Sequence, residues 1–242
     1  MEEDKKDIEQ YVAYTLMGRP YGFSVGDRHF ALHPVTLGKM YLLQPCIDSL
    51  GIDPQNVQRN LPMEALRLAG EKKDACLTII CYHTCKTKDE VEDTAMLAER
   101  KALFERELSE EDIAALMIIL LSSDRTAVIM KHFGIDKEQD RLAEVLRIKA
   151  RDDKNNLTFG GKSVFGSLID TACERYGWTK DYVVWGIDYT SLRLMLADKV
   201  NSIYCTDEEM KRIPARFRYN SDAILNADGR QAMELIRQMS WR

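Results

Sequence analysis

One short segment is the only part of this chain that reads convincingly as β structure, and helix-start signals punctuate most of what remains. The segment is Tyr21-Gly-Phe23-Ser-Val25-Gly26-Asp27-Arg28-His29-Phe30-Ala-Leu32. Gly26-Asp27 suits a two-residue hairpin turn with glycine first. The register this sets pairs Val25 with Arg28, Phe23 with Phe30 and Tyr21 with Leu32, all on one sheet face. Every one of these residues except Arg28 is apolar or aromatic, so the face is fit for burial.

Around the hairpin the periodicity is helical. Residues 5–17 predict an amphipathic helix with Ile8, Tyr11, Val12, Thr15 and Leu16 on one face, stopped by Gly18 and Pro20. From Thr36 onward Leu37, Met40, Tyr41 and Ile47 begin a helix expected to kink at Pro45. Asp53-Pro54 is a cap followed by proline at the first helical position. A longer helix is expected from Pro62 to about Cys85. Thr87-Lys-Asp-Glu90 has capping-box spacing and opens a charged helix to about Leu108, and Ser109-Glu-Glu-Asp112 caps an apolar helix over 110–121. Helices at roughly 124–133 and 136–150 are separated by Gly134. Further helices are expected at 164–176, 179–185 and 189–204. Thr206-Asp-Glu-Glu209 caps a short one, 214–226 reads as irregular, and Asp228 opens a last helix to about Met239.

The fold class is therefore mainly α, a multi-helix protein with a small N-terminal β-hairpin. The polar, glycine-bearing stretch 151–163 is the best linker or hinge loop. It divides an N-terminal helical domain, 1–150, from a C-terminal helical region, 164–242.

Composition narrows the function classes. The formal net charge is −5, with −6 in residues 1–150 and +1 in 151–242. Neither part has the basic excess of a nucleic-acid binder, and Lys211, Arg212, Arg216 and Arg218 read as a solvated patch. The polar, acidic start is not a secretory signal. The apolar run Ile113 to Leu121 is about half the length needed to cross a bilayer. A cytosolic protein without a membrane partner is expected. Six irregularly spaced cysteines do not read as a disulfide framework.

Several constellations invite chemistry and fall short of it. Cys76, Cys81, His83 and Cys85 lie in one predicted helix. His83 is turned about 200° from Cys81 at helical pitch, so the cysteines read as small buried apolar side chains. Gly160-Gly161-Lys162-Ser163 precedes a helix like the end of a phosphate loop, but Asn156 stands where the pattern needs glycine. His29, His33, His83 and His132 are scattered. The pairs Glu110-Glu111 and Glu208-Glu209 stand at helix starts, where the dipole favours them. No metal, cofactor or catalytic residue is expected.

The most unusual stretch is aromatic. Trp178, Tyr182, Trp185, Tyr189, Leu192 and Leu196 recur at spacings of 4, 3, 4, 3 and 4, which predicts one stripe on a helix, or on two helices broken at Gly186. With Tyr176 and Met195 they form the candidate partner-binding set. Rings with an apolar body and a polar tip suit a surface that is half core and half recognition face.

These residues also carry a resemblance. Phe159-Gly-Gly-Lys-Ser163, Leu168-Ile-Asp170-Thr-Ala-Cys-Glu174-Arg175-Tyr176-Gly-Trp178, Asp181-Tyr182-Val-Val-Trp185-Gly-Ile and Leu192-Arg-Leu-Met195-Leu-Ala-Asp198 together resemble the C-terminal region of tail assembly chaperones. Such proteins are encoded by tailed phages and prophages, especially of the Bacteroidetes type. Tyr21 to Leu42, with Pro34-Val-Thr-Leu-Gly-Lys39, is similar to their short β element and first helix. About a third of the chain is covered; 53–150 shares only a helix-rich character.

The resemblance implies a non-enzymatic protein of the host cytoplasm. It would bind the long, apolar, helical tape-measure protein, keep it soluble, and help recruit tail-tube protein. It would be absent from the mature virion, and a frameshifted longer form and a homo-oligomer are both compatible with it. The alternative is a structural virion component, such as a tail-completion or baseplate adaptor. A groove of aromatics, leucine and methionine accepts many apolar helix faces without strict sequence reading.

Overall fold

The computed structural model describes residues 2–152, 159–200 and 202–218. In chain order its elements begin with α1 (Glu2–Leu16), the strands β1 (Tyr21–Val25) and β2 (Arg28–Leu32), α2 (Leu37–Leu50), α3 (Pro54–Glu71) and α4 (Lys73–His83). They continue with α5 (Lys88–Glu92), α6 (Thr94–Glu107), α7 (Glu110–Leu121), α8 (Thr126–His132) and α9 (Ile135–Asp152). After 159 come a π-helical turn at Phe165–Ile169, α10 (Asp170–Tyr176), a second π-helical turn at Tyr182–Gly186, α11 (Tyr189–Ala197), α12 (Asp207–Arg212) and α13 (Ala215–Arg218). The protein is mainly α with a small N-terminal hairpin, as its sequence predicts. The helix expected after Asp228 lies outside the described residues.

The hairpin takes the expected register, Val25 opposite Arg28, Phe23 opposite Phe30 and Tyr21 opposite Leu32. Gly26 sits at φ +57°, a left-handed conformation open to glycine at little cost. Phe30 meets the buried Phe104 of α6 edge-on with centroids 4.8 Å apart, and Val25 and Leu32 are buried.

Helix boundaries follow side-chain caps. Asp53 accepts a hydrogen bond from the Gln55 N–H at 2.8 Å, and Ser109 and Asp112 close a full capping box. α2 runs unbroken through Pro45. Two expected helices are each broken in two. The helix expected over 62–85 is interrupted at Lys72, whose φ −130° and ψ 33° separate α3 from α4. The turn lets Ala65, Leu68 and Ala69 of α3 face α7, while Cys76, Leu77 and Ile80 of α4 join the same core from another direction. The helix expected over 88–108 stops at Asp93, whose carboxylate takes the Met96 N–H at 2.9 Å and starts α6 anew. The helix expected over 189–204 ends at Ala197.

The described residues fall into two compact units. One comprises 2–133 and 159–199; the other comprises 134–152, Val200 and 202–218. This corrects the division expected at 151–163. The Tyr182–Gly186 turn packs on α2 and α11 packs on α8 and α1, so these C-terminal elements belong to the first unit. That unit has two apolar clusters. The larger joins the hairpin to α2, α3, α4, α6 and α7, and the smaller gathers Leu37, Ile169, Ala172, Val183, Ile187 and Leu192. By length and composition Glu110–His132 resembles a membrane span. In the fold it is two helices, α7 and α8, with Ile113, Ala114, Met117 and Ile129 buried.

The second unit is held by α9. Arg141 donates to the Phe217 carbonyl at 2.6 Å, and Lys149 donates to the Tyr204 carbonyl at 2.6 Å. Lys149 also lies 3.5 Å from Glu209, the closing residue of the Thr206 capping box.

Candidate functional site

The aromatic region is shaped by two local devices. Gly177 at φ +65° ends α10 and donates to the Cys173 carbonyl, which places Trp178 outside any helix. Thr179 then accepts the Tyr182 N–H at 3.2 Å and a π-helical turn begins, closed by the Ile187 N–H on the Tyr182 carbonyl at 3.1 Å. A hydrogen bond five residues back widens the turn, so the 3–4 spacing of an α-helix no longer keeps successive rings on one face. Ile187 is extended, and Asp188 caps α11 through the Ser191 N–H at 2.8 Å. The Tyr189 N–H donates to Val35, and Thr36 bridges Asp188, which ties this corner to the start of α2.

The single stripe expected from spacing is therefore redistributed. Tyr176 stacks on Trp178 with centroids 4.5 Å apart, and Trp178 meets Tyr182 edge-on at 5.0 Å. Tyr176 and Trp178 lean on the smaller apolar cluster with one side and remain half-buried; Tyr182 is 45% exposed. The Tyr176 hydroxyl donates to the Met195 carbonyl at 3.0 Å, and Met195 is 38% exposed. Leu196 is half-buried against the same cluster. Trp185 points elsewhere, onto Gly38 of α2 and the larger cluster. Leu192 is 0% exposed and so offers no surface to a partner. Tyr189 lines a cleft beside α1.

One residue escaped the spacing argument. Phe165, in the first π-helical turn, is 61% exposed, with the Lys180 ammonium 5.5 Å from its ring centroid. Lys180 is two residues from both Trp178 and Tyr182, which places Phe165 near the aromatic run. No periodicity marked it, since it precedes the aromatic run and its neighbours are small.

The polar constellations have structural partners. Cys76, Cys81 and Cys85 are buried, and burial pushes the Cys76 thiol up to about 11 and that of Cys81 to about 12, so they stay protonated. Among the described residues no group of three or more His, Cys, Asp or Glu side chains is placed to hold a metal ion. Lys39 is buried, and its ammonium donates to the Cys85 carbonyl just beyond α4, where a cation complements the helix dipole. Burial lowers its pKa to about 8. Burial, and then the Lys39 charge, lowers His83 to about 4; its ring nitrogen faces the His33 carbonyl at 3.4 Å. Ser163 accepts the Gly166 N–H at 3.3 Å, so Gly160 to Ser163 leads into and caps the first π-helical turn.

Comparison with protein-family models, curated proteins and solved structures returns no match. Chemically, the exposed Phe165, Tyr182 and Met195 and the half-buried Trp178 offer ring surface, one thioether and an ammonium beside Phe165. That combination suits apolar polypeptide better than a small polar ligand.

Proposed function

We propose that this chain is a non-enzymatic tail assembly chaperone that binds the tape-measure protein of a tailed phage and keeps it soluble while the tail is built. The observation that carries this reading is the aromatic ladder Tyr176–Trp178–Tyr182, anchored on its inner side by the smaller cluster and open on its outer side. An anchored ring keeps its position without a partner, so little ordering entropy opposes binding. The ladder lies within the sequence that resembles such chaperones, and the exposed Phe165 and Met195 in the same region add apolar surface suited to a helix face. The net charge of −5 adds solubility and repulsion between free copies.

Co-expression with the tape-measure protein of the same genome tests the proposal. The expected result is a soluble complex, lost in Trp178→Ala and Tyr182→Ala variants whose circular dichroism matches the parent. A tape-measure protein left insoluble, or this chain found in purified particles at fixed stoichiometry, overturns it. The second outcome favours a virion component instead.

A further inference from the structure

The two edges of the hairpin differ. A two-residue turn makes its flanking pair, Val25 and Arg28, exchange both backbone hydrogen bonds. Alternation then turns the N–H and C=O of Tyr21, Phe23 and Val25 inward to β2, and those of Gly22 and Ser24 outward. On the β2 side the outer edge meets α4, where the His33 N–H donates to the His83 carbonyl at 2.8 Å. The β1 side is open. Among the described residues the sheet has two strands, and no hydrogen bond reaches the N–H or C=O of Gly22 or Ser24. Both residues are exposed, and the Ser24 hydroxyl is held on its own hairpin, 2.8 Å from His29 Nδ1.

Open edges are usually blunted by a charge, a proline or a bulge. β1 reads Tyr-Gly-Phe-Ser-Val and pairs in continuous register, so it carries none of these. It also matches a second β1 running antiparallel. With Phe23 opposite the copy's Phe23, Gly22 falls opposite the copy's Ser24 and Ser24 opposite the copy's Gly22. Each of these pairs exchanges two hydrogen bonds through the outward groups. Tyr21, 52% exposed, falls opposite the copy's Val25, a favourable aromatic and β-branched pair. Phe23 has Phe30 and Phe104 on its inner side, with centroids 5.8 and 5.9 Å away, and the copy's ring continues that row. On the other face Gly22 leaves open space, since a Cβ there would meet only the Phe30 carbonyl, at 4.0 Å.

We propose that the outer edge of β1 docks a second copy of this chain, joining two hairpins into one four-stranded antiparallel sheet about a two-fold axis. A second copy is the occupant because the edge complements itself in register, in hydrogen bonds and in side-chain size. The net charge of −5 opposes the approach of two copies, but β1 is uncharged, so salt screens that repulsion without touching the pairing. Five paired residues bury less than the about 1,200–2,000 Å² of a stable interface, so the dimer is weak and forms at high concentration. The edge is separate from the aromatic ladder, and the inference stands whether or not the tape-measure protein is the partner.

The test is site-resolved hydrogen exchange of the full chain at about 10 µM and about 500 µM, with sedimentation over the same range. The Gly22 and Ser24 amides are expected to exchange at least about tenfold more slowly at the higher concentration, while those of Phe23 and Val25, bonded within the hairpin, hardly change. Sedimentation is expected to show monomer and dimer in equilibrium, shifted toward dimer by added salt. Ser24→Pro removes an outward donor and leaves the inward ladder intact, so it is expected to weaken the dimer at least about tenfold. A monomer at every concentration overturns the proposal. So does a dimer whose Gly22 and Ser24 amides exchange as fast as in the monomer, or one that Ser24→Pro, with the circular dichroism of the parent, leaves unchanged.

Discussion

The indole of Trp185 lies flat against Gly38: a Cβ at that glycine would come within 2.7, 2.7 and 2.8 Å of ring carbons Cε3, Cζ3 and Cη2. Gly38 stands in the first turn of α2, and Trp185 in the second π-helical turn. The missing side chain lets the two backbones approach, and the ring bridges from the corner at Asp188 to the larger cluster. Trp185 thus helps fasten the C-terminal elements to the first unit, a task separate from partner contact.

Gly38→Ala forces the ring to move. Overpacking of this kind costs about 1–3 kcal/mol. Denaturant unfolding should show that loss, and the intrinsic tryptophan emission should shift as Trp185 leaves its seat. Unchanged stability and emission would contradict the contact.

Gly186→Ala tests the π-helical turn in the same manner. A Cβ there would lie 2.4 Å from Cδ2 of Tyr182. The expected outcome is a displaced Tyr182, seen as a loss of its ring contacts with Trp178 by nuclear Overhauser effect, and a stability loss of about 1 kcal/mol or more. Under the proposed function, tape-measure binding should fall while the fold remains.

Glu64 is buried and held by Arg67, whose Nη2 and Nε lie 2.6 and 3.0 Å from its two carboxylate oxygens. The Asp53 N–H adds a third hydrogen bond at 3.0 Å. The Arg67 hydrogen bonds lower the Glu64 pKa from 4.5 to about 2. A depressed carboxylate contributes stability above its unfolded value and loses it as pH falls through the folded one. The unfolding free energy should therefore decline between about pH 4.5 and pH 2, and Glu64→Gln should flatten that slope. At pH 7 the same variant should lose about 1–3 kcal/mol, since it removes a charge-assisted partner.

Lys39 has the opposite pH signature. Its pKa falls from 10.5 to about 8, chiefly through burial. Between those values this group is protonated in the unfolded chain and neutral in the folded one, so its own contribution to stability should rise with pH from about 8 to about 10.5, against the opposite contribution of the buried Cys76 and Cys81 thiols. Lys39→Met removes the titrating group, so the difference in unfolding free energy between wild type and variant isolates this contribution and should rise across the window. A difference that is flat across this window would contradict the buried ammonium.

Local chemistry made much of the fold readable. The hairpin register follows from a two-residue turn and alternating apolar side chains, all within Tyr21 to Leu32. The caps at Asp53, Ser109 and Thr206 act within three residues of themselves. The breaks at Lys72 and Asp93 were harder to see. At Asp93 the sequence permits either a continued helix or a fresh cap, and burial of Val91 and Leu97 on the two sides favours the cap.

The aromatic set marks the limit of such reading. Spacing identified the unusual residues, because rings at 3–4 intervals stand out in any helical pattern. It did not assign their directions. Whether Trp185 turns outward with Tyr182 or inward onto Gly38 depends on a glycine far away in sequence and on a widened turn that leaves no periodic trace. The sequence by itself determined a helical protein, its hairpin and the caps that start its helices, since those rest on neighbours along the chain. Only the tertiary structure decided which rings are sealed and which stay open, because that is settled by close packing between residues the chain does not place side by side.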